Sequence, residues 1–209
     1  MASRADVTPN RRGMRSRELV LDAAERVMAD QGYEAATIAR VVEEAGVPLS
    51  SVYHYYGSKD GILLAVMERG AKRFFGDLPD WSRRIGRPAE HLRTVLSAAA
   101  EALERHPSFL RLLIVFAVQP PAHGGDEIEV VVARVRRLGL DRLSEQIALA
   151  FGDDPENPVT LRLARIALAA IDGAFVASQS DGTVTLEYLL EPLVPALVAV
   201  RRGLLAKTR

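Results

Sequence analysis

Apolar positions in the first third of the chain recur at intervals of three and four. Val20, Ala23, Ala24, Val27 and Met28 predict an amphipathic helix over about 15–31, with Gly32 as its stop. After "YEAA", Thr37 is a good N-cap, and Ile38, Val41, Val42 and Ala45 fall on one face before Gly46. That second helix is only two turns long. Pro48 suits a helix start, so a third short helix is predicted over about 49–55. Two short helices around a Gly46-Val47 turn form a helix-turn-helix over about 37–56. Ser58 then caps a fourth helix, with Ile62, Leu63, Val66 and Met67 on its inner face, running to about Phe75.

"GDLPDWSRRIGRP", residues 76–88, is rich in turn formers and is read as the edge between two domains. Beyond it, Leu92, Val95, Leu96, Ala99 and Leu103 form one helical stripe, stopped by His106-Pro107. "SFLRLLIVFAV" predicts a short, mostly buried helix before Pro120-Pro121, and "AHGGDE" is a loop. Further helices are predicted over about 127–151 and from "VTLRLARIALAAIDGAFVASQ" to about Ser178. A last one, 186–205, should kink or split at Pro192 and Pro195. No alternating strand pattern and no repeat occurs. The expected fold is all-α: a flexible basic arm over 1–13, a helix-turn-helix domain over 14–75, and a larger helical domain over 76–209.

Charge narrows the functional choice. The 209 residues carry 27 basic and 27 acidic side chains, so affinity for a polyanion must come from local arrangement. The absence of cysteine removes disulfides, thiolate nucleophiles and thiolate metal sites, and fits a reducing cytoplasm. The longest apolar run, "LLIVFAV" at 112–118, is too short to span a bilayer, so no membrane partner is expected. The arginine-bearing N-terminus has no apolar stretch of the signal-peptide kind behind it. No nucleophile-base-orienter set, glycine-rich phosphate loop or carboxylate pair emerges; no enzyme and no cofactor are expected. His91, His106 and His123 lack the paired spacing of a metal site and read as exposed or capping residues.

"VPLSSVYHYYGSKDGIL", residues 47–63, gathers three tyrosines and a histidine in a chain that is 6% aromatic. Such wet-ended rings suit either a surface that touches a polar partner or a corner of the core. In a helix-turn-helix the second helix enters the major groove while the first crosses the backbone. That makes 49–55 the reading head. Leu49, Ser50 and Ser51 stand where side chains reach base edges, Leu49 against a thymine methyl. Tyr53, His54 and Tyr55 offer polar tips to phosphates, and Lys59 adds a cation at the next helix start. Tyr56 shares the inner face with Val52 and is read as a core residue with its hydroxyl turned outward.

From about Met14 to Phe74 the chain resembles the DNA-binding domain of the TetR family of bacterial transcriptional regulators. The resemblance rests on "LDAAERVMADQGYEAATIARVVEEAGV" followed by "SSVYHYYGSKDGIL". It implies a cytoplasmic, ligand-responsive repressor, binding palindromic double-stranded operator DNA as a homodimer and released by a small apolar or amphipathic effector. It carries Tyr53 and Lys59 over as phosphate contacts, Thr37 as helix cap and backbone contact, and Ser50, Ser51 and Tyr55 as base or backbone contacts, with Arg40 added to the DNA-facing set. Pro48, Leu49, Ser50 and Ala39 depart from residues frequent in the family, which bears on the operator sequence. Gly61 inside the fourth helix is unfavourable by about 1 kcal/mol relative to alanine. Two other readings stay open: a small-molecule-binding or catalytic helical protein carrying a DNA-binding module, and an interaction adaptor without DNA affinity.

The second half supplies further candidates. Phe109, Leu113, Phe116, Gln119, His123, Asp172, Phe175 and Gln179 combine rings with a few polar groups, as a ligand pocket does. Ala164, Ala167, Ala170, Ala174 and Ser178, with Leu189, Leu193, Leu197 and Leu204, are the candidate dimer face. Arg11, Arg12 and Arg15 are candidates for following the DNA backbone from the arm.

Overall fold

A computed structural model describes residues 11–119 and 125–206. Among these residues all regular structure is helical: α1 (Arg11–Gln31), α2 (Ile38–Ala45), α3 (Leu49–Tyr56), α4 (Lys59–Asp77), α5 (Pro88–Arg105), α6 (Pro107–Val118), α7 (Gly125–Phe151), α8 (Pro158–Ser180), α9 (Leu186–Leu190) and α10 (Leu193–Ala206). The all-α expectation holds, and so do most helix positions. α1 begins at Arg11, so Arg11 to Gly13, placed in the arm by the sequence reading, form its first turn. The rest of that arm lies outside the described residues.

The chain divides into two compact units. One runs to Gly70 and includes Ser108–Val131; the other is Ala71–Pro107 with the chain from Val132 onward. The boundary therefore falls inside α4, not in the turn-rich 76–88 segment. α6 and the start of α7 belong with the helix-turn-helix helices, for reasons visible in the packing.

In the first unit Val20, Ala23, Ala24, Val27 and Met28 of α1 are all buried, together with Val41, Val52, Ile62, Leu63, Val66 and Met67. α1 and α4 thus bury the stripes that their spacing announced, while α2 buries Val41 and Ala45 and leaves Ile38 and Val42 half-buried. α4 is held to α1 by Arg69, whose side chain is 9% exposed and reaches Glu18 (3.1 Å), Asp22 (2.7 Å) and Glu25 (2.8 Å). α6 joins through Phe109, which is fully buried and occupies the space that a side chain at Gly70 would take. Phe116 meets Tyr33 edge to face at 5.7 Å, and Arg111 donates to the Ala29 carbonyl at 3.3 Å.

In the second unit α10 packs on α8 and α5, and α9 packs on α5 and α8. The predicted break appears between Leu190 and Leu193, where Pro192 has no N–H to continue the ladder. Pro195 lies within the first turn of α10 and is accommodated there. Asn157 caps α8 through the Val159 amide at 2.8 Å, and Thr185 caps α9 through that of Tyr188 at 3.2 Å.

Gly61 has a structural reason. A Cβ there would stand 2.1 Å from the Tyr56 carbonyl oxygen, which is backbone and cannot swing aside. Gly61→Ala therefore exchanges a helix-propensity gain of about 1 kcal/mol for an overpacking cost of about 1–3 kcal/mol or more. Thermal unfolding followed by circular dichroism should show a lower midpoint, by roughly 2–4 °C per kcal/mol for a chain of this size. A raised midpoint would contradict the close approach.

Candidate functional site

The helix-turn-helix is built by local rules. Thr37 caps α2, its hydroxyl accepting from the Arg40 amide at 3.2 Å. Gly46 ends α2 in the left-handed region at φ 63°, which turns the chain without the Cβ penalty of other residues. Val47 is buried beneath the turn, and α3 starts at Leu49 with Pro48 before it. No side chain caps α3, so its positive end is left for an external anion.

α3 buries Val52 and turns Leu49, Ser50, Tyr53 and His54 outward; Leu49 and Tyr53 are 48% and 51% exposed. These four share the open face of the reading helix. Ser51 and Tyr55 are half-buried at its edge. The aromatic cluster proves to have two jobs. Tyr53 and His54 point out, while Tyr55 and Tyr56 tie α3 to α1: the Arg17 guanidinium lies 4.8 Å over the Tyr55 ring, and the Tyr56 hydroxyl donates to the Arg17 carbonyl at 3.1 Å. Burial raises the Tyr56 phenol to about 12. The expectation of an outward-escaping Tyr56 hydroxyl is thus corrected: it is spent on α1.

Lys59 is half-buried, and its ammonium donates to the carbonyls of Tyr33 (3.0 Å) and Glu34 (3.4 Å) while lying 4.2 Å over the Tyr33 ring. Tyr33 in turn donates to Asp60, and burial, reinforced by that carboxylate, pushes its phenol well up. The start of α4 is thereby fastened to the loop between α1 and α2. Arg40 is exposed on α2 and paired with Glu43 at 2.9 Å.

The second unit contains a cavity of about 260 Å³, walled by Phe74, Phe75, Trp81, Leu103, Leu143 and Ile171 among others. Its polar groups are few: Gln146, Arg142 and Asp80. Arg142 and Gln146 are one turn apart on α7 and share a face. Behind Trp81 sits His91, wholly buried. Its Nδ1 accepts from the Ile85 amide at 3.2 Å, and neither its Nε2 nor Gln146 Oε1 completes a hydrogen bond. Burial holds the imidazole below its ordinary range. His91 is thus a core residue and not the exposed or capping one that its spacing suggests. His106 does cap α5, its Nε2 lying 2.9 Å from Asp77.

The pocket residues expected from sequence are not brought together. Phe109, Leu113 and Phe116 are core of the first unit, and Gln119 is exposed just after α6. His123 lies outside the described residues. In the second unit Phe175 is buried, Gln179 is exposed, and Asp172 is half-buried in an ion pair with Arg136 at 2.6 Å. None of these residues lines the cavity. The sequence pattern distinguishes apolar from polar positions but does not say which apolar positions close on one another.

The dimer face is corrected for a similar reason. Ala164, Ala167, Ala174, Leu193 and Leu197 are buried within the subunit, while Ala170, Ser178, Leu189 and Leu204 are half-buried. The small-residue stripe seats α8 in its own core. The outer face of α8 instead presents Ile166, Ala169, Gly173 and Val176, and that of α10 presents Ala196, Ala199 and Gly203.

A helix-turn-helix with an exposed reading helix stands next in sequence to a helical unit that holds an apolar cavity. Residues 20–66 match the model for bacterial regulatory proteins of the tetR family. The chain is 28% identical over 163 residues to the HTH-type transcriptional regulator BetI of Brucella canis, covering 78% of this chain and 79% of that one. The fold is shared with a transcriptional regulator from Rhodococcus, with TM-score 0.70, 23% identity, and 90% and 97% of the two chains covered. It is shared also with SmeT, the repressor of a multidrug efflux pump of Stenotrophomonas maltophilia, with TM-score 0.65, 21% identity and 88% of each chain covered. Residues 20–66 thus resemble the DNA-binding domain of the tetR family of bacterial regulatory proteins, and the remainder shares its helical fold with such regulators. No helix among the described residues is long and apolar enough to cross a membrane.

Buried His91 makes a pH prediction. An unfolded imidazole takes up its proton near 6.5, whereas the folded one does so only at lower pH. Below 6.5 the unfolded state therefore binds more protons, and stability falls as the pH drops towards the native value. His91→Asn keeps an acceptor for the Ile85 amide and removes the titration. The midpoint lost between about pH 7.5 and about pH 5 should be larger in the wild type than in the variant; parallel losses would show that His91 takes no part.

Proposed function

We propose that the protein is a ligand-responsive repressor that binds a palindromic operator as a homodimer in the cytoplasm. The observation that carries this reading is the outward face of α3, where Leu49, Ser50, Tyr53 and His54 stand together on a helix fixed from behind by Tyr55 and Tyr56. Leu49 and Ser50, at the start of the helix, meet base edges, and Ser51 reaches them from its side. Tyr53 and His54 face phosphates, as do Arg40 and Thr37 from α2, while Tyr55 holds the helix from behind. Lys59 keeps one N–H beyond its two carbonyl contacts for the backbone.

Dimerisation is assigned to the outer stripes of α8 and α10. Small and β-branched residues there let a second copy approach closely, and among the described residues they stay exposed. The effector binds in the cavity. α4 buries Ile62 and Leu63 in the first unit and places Phe74 and Phe75 in the cavity wall, so one helix carries both functions. A ligand that prefers one pose of α4 shifts the spacing of the two reading heads, with a coupling of about 1–3 kcal/mol typical of such linkage. SmeT, named as a repressor, favours the same direction of control.

Selection of bound sequences from random duplex DNA should return a palindrome. On that duplex Arg40→Ala should weaken binding without altering sequence preference and reduce the salt slope by about one unit. Val176→Asp should give a monomer by sedimentation and a large loss of operator affinity. A selected site without two-fold symmetry, or a dimer undisturbed by Val176→Asp, would contradict the assignment.

A further inference from the structure

The cavity of the second unit is more specific than its apolar walls suggest. Phe74, Phe75, Leu103, Leu143 and Ile171 offer an apolar body to a cavity of about 260 Å³.

The charges around it are unequal. Arg142 lines the cavity with its side chain 47% exposed, and its ion pair with Asp80 is long, at 3.9 Å, with Asp80 90% exposed. A carboxylate so fully in water screens its partner poorly and holds it weakly. The guanidinium brings five donors to the site. His91 takes its Ile85 contact at Nδ1, so in the neutral ring Nε2 carries the proton and is a donor. Gln146, beside Arg142 on the same face, donates from its amide nitrogen to the Trp81 carbonyl over a long 3.4 Å. Among its lining residues the cavity thus offers one loosely paired guanidinium, and its one carboxylate lies in solvent.

We propose that the effector is a small organic acid, its apolar body among Phe74, Phe75, Leu103 and Ile171 and its carboxylate hydrogen-bonded to Arg142 in place of Asp80. This rests on the ligand-responsive reading above and specifies the chemical class taken by the same cavity. A carboxylate accepts two parallel N–H bonds from a guanidinium, which the 3.9 Å contact with Asp80 does not supply. Gln146 then orients the ligand from the next turn.

Trp81 is the chain's single tryptophan and lines the cavity, so its fluorescence reports occupancy directly. Two matched series serve as probes: decanoate, decanol and decylamine, and 4-phenylbutyrate, 4-phenylbutanol and 4-phenylbutylamine. In at least one series the acid should bind about tenfold or more tighter than the alcohol and the amine, the worth of a hydrogen bond to a charged group. Arg142→Gln should bring the acid down to the level of the alcohol while the alcohol still binds, which shows the cavity intact. An amine or alcohol that binds as well as the acid, or an acid preference that survives Arg142→Gln, overturns the proposal, as does a panel in which nothing binds. Binding of the selected duplex is measured alongside with each probe. Release of DNA by an amine or alcohol would sink the acid class and leave the ligand-responsive reading standing. An acid that binds through Arg142 without changing DNA affinity would do the reverse.

Discussion

The DNA-binding unit depends on one cation. Arg69, on α4, is nearly removed from solvent and meets three carboxylates of α1 that are spaced one helical turn apart, at Glu18, Asp22 and Glu25. Water no longer screens that guanidinium fully, so the three contacts count for more than surface ion pairs do, and losing the cation would leave three like charges facing a low-dielectric wall. α1 is the common support. It takes α4 through Arg69, α3 through Arg17, and α6 through the Ala29 carbonyl. The reading helix is therefore oriented by contacts behind it and leaves its front free.

The same economy explains the tyrosines. A short, eight-residue helix has too little apolar surface to fix its own orientation, and only Val52 of α3 is buried. Tyr55 and Tyr56 supply the missing hold, one as a stacking surface for a cation and one as a donor to a backbone carbonyl. Tyr53 and His54, on the other side, remain available. At the far end of α3, Gly61 lets the first turn of α4 come against the Tyr56 carbonyl, which closes the angle between the two helices without a spacer.

What the sequence made legible was whatever depends on neighbours in the chain. Thr37 as cap, Gly46 as stop, the Pro192 break and the reading face of α3 follow from local rules and needed no tertiary knowledge. The domain edge, the pocket and the dimer face depend on which distant apolar stripes meet, and periodicity is silent on that. Ala164 and Ala167 read equally well as a surface for a second copy or as a seat in the core, and the structure makes them core. Phe109 and Phe116 read as pocket rings, but Gly70 and Tyr33 claim them. Trp81 was hidden in a segment whose glycines and prolines mark it as a turn. A lone tryptophan between two such turn formers was the one available hint that something there is being covered.

If α1 holds the reading head ready, Arg69→Met should loosen it. The substitution keeps the aliphatic body of the side chain and removes the charge. Its operator affinity should be measured by anisotropy at a temperature where circular dichroism shows the variant folded. The account predicts a loss of about tenfold or more on every duplex, with unchanged sequence preference, because the orientation of α3 is disturbed and its base-facing residues are not. An affinity equal to that of the wild type in a folded Arg69→Met protein would contradict it.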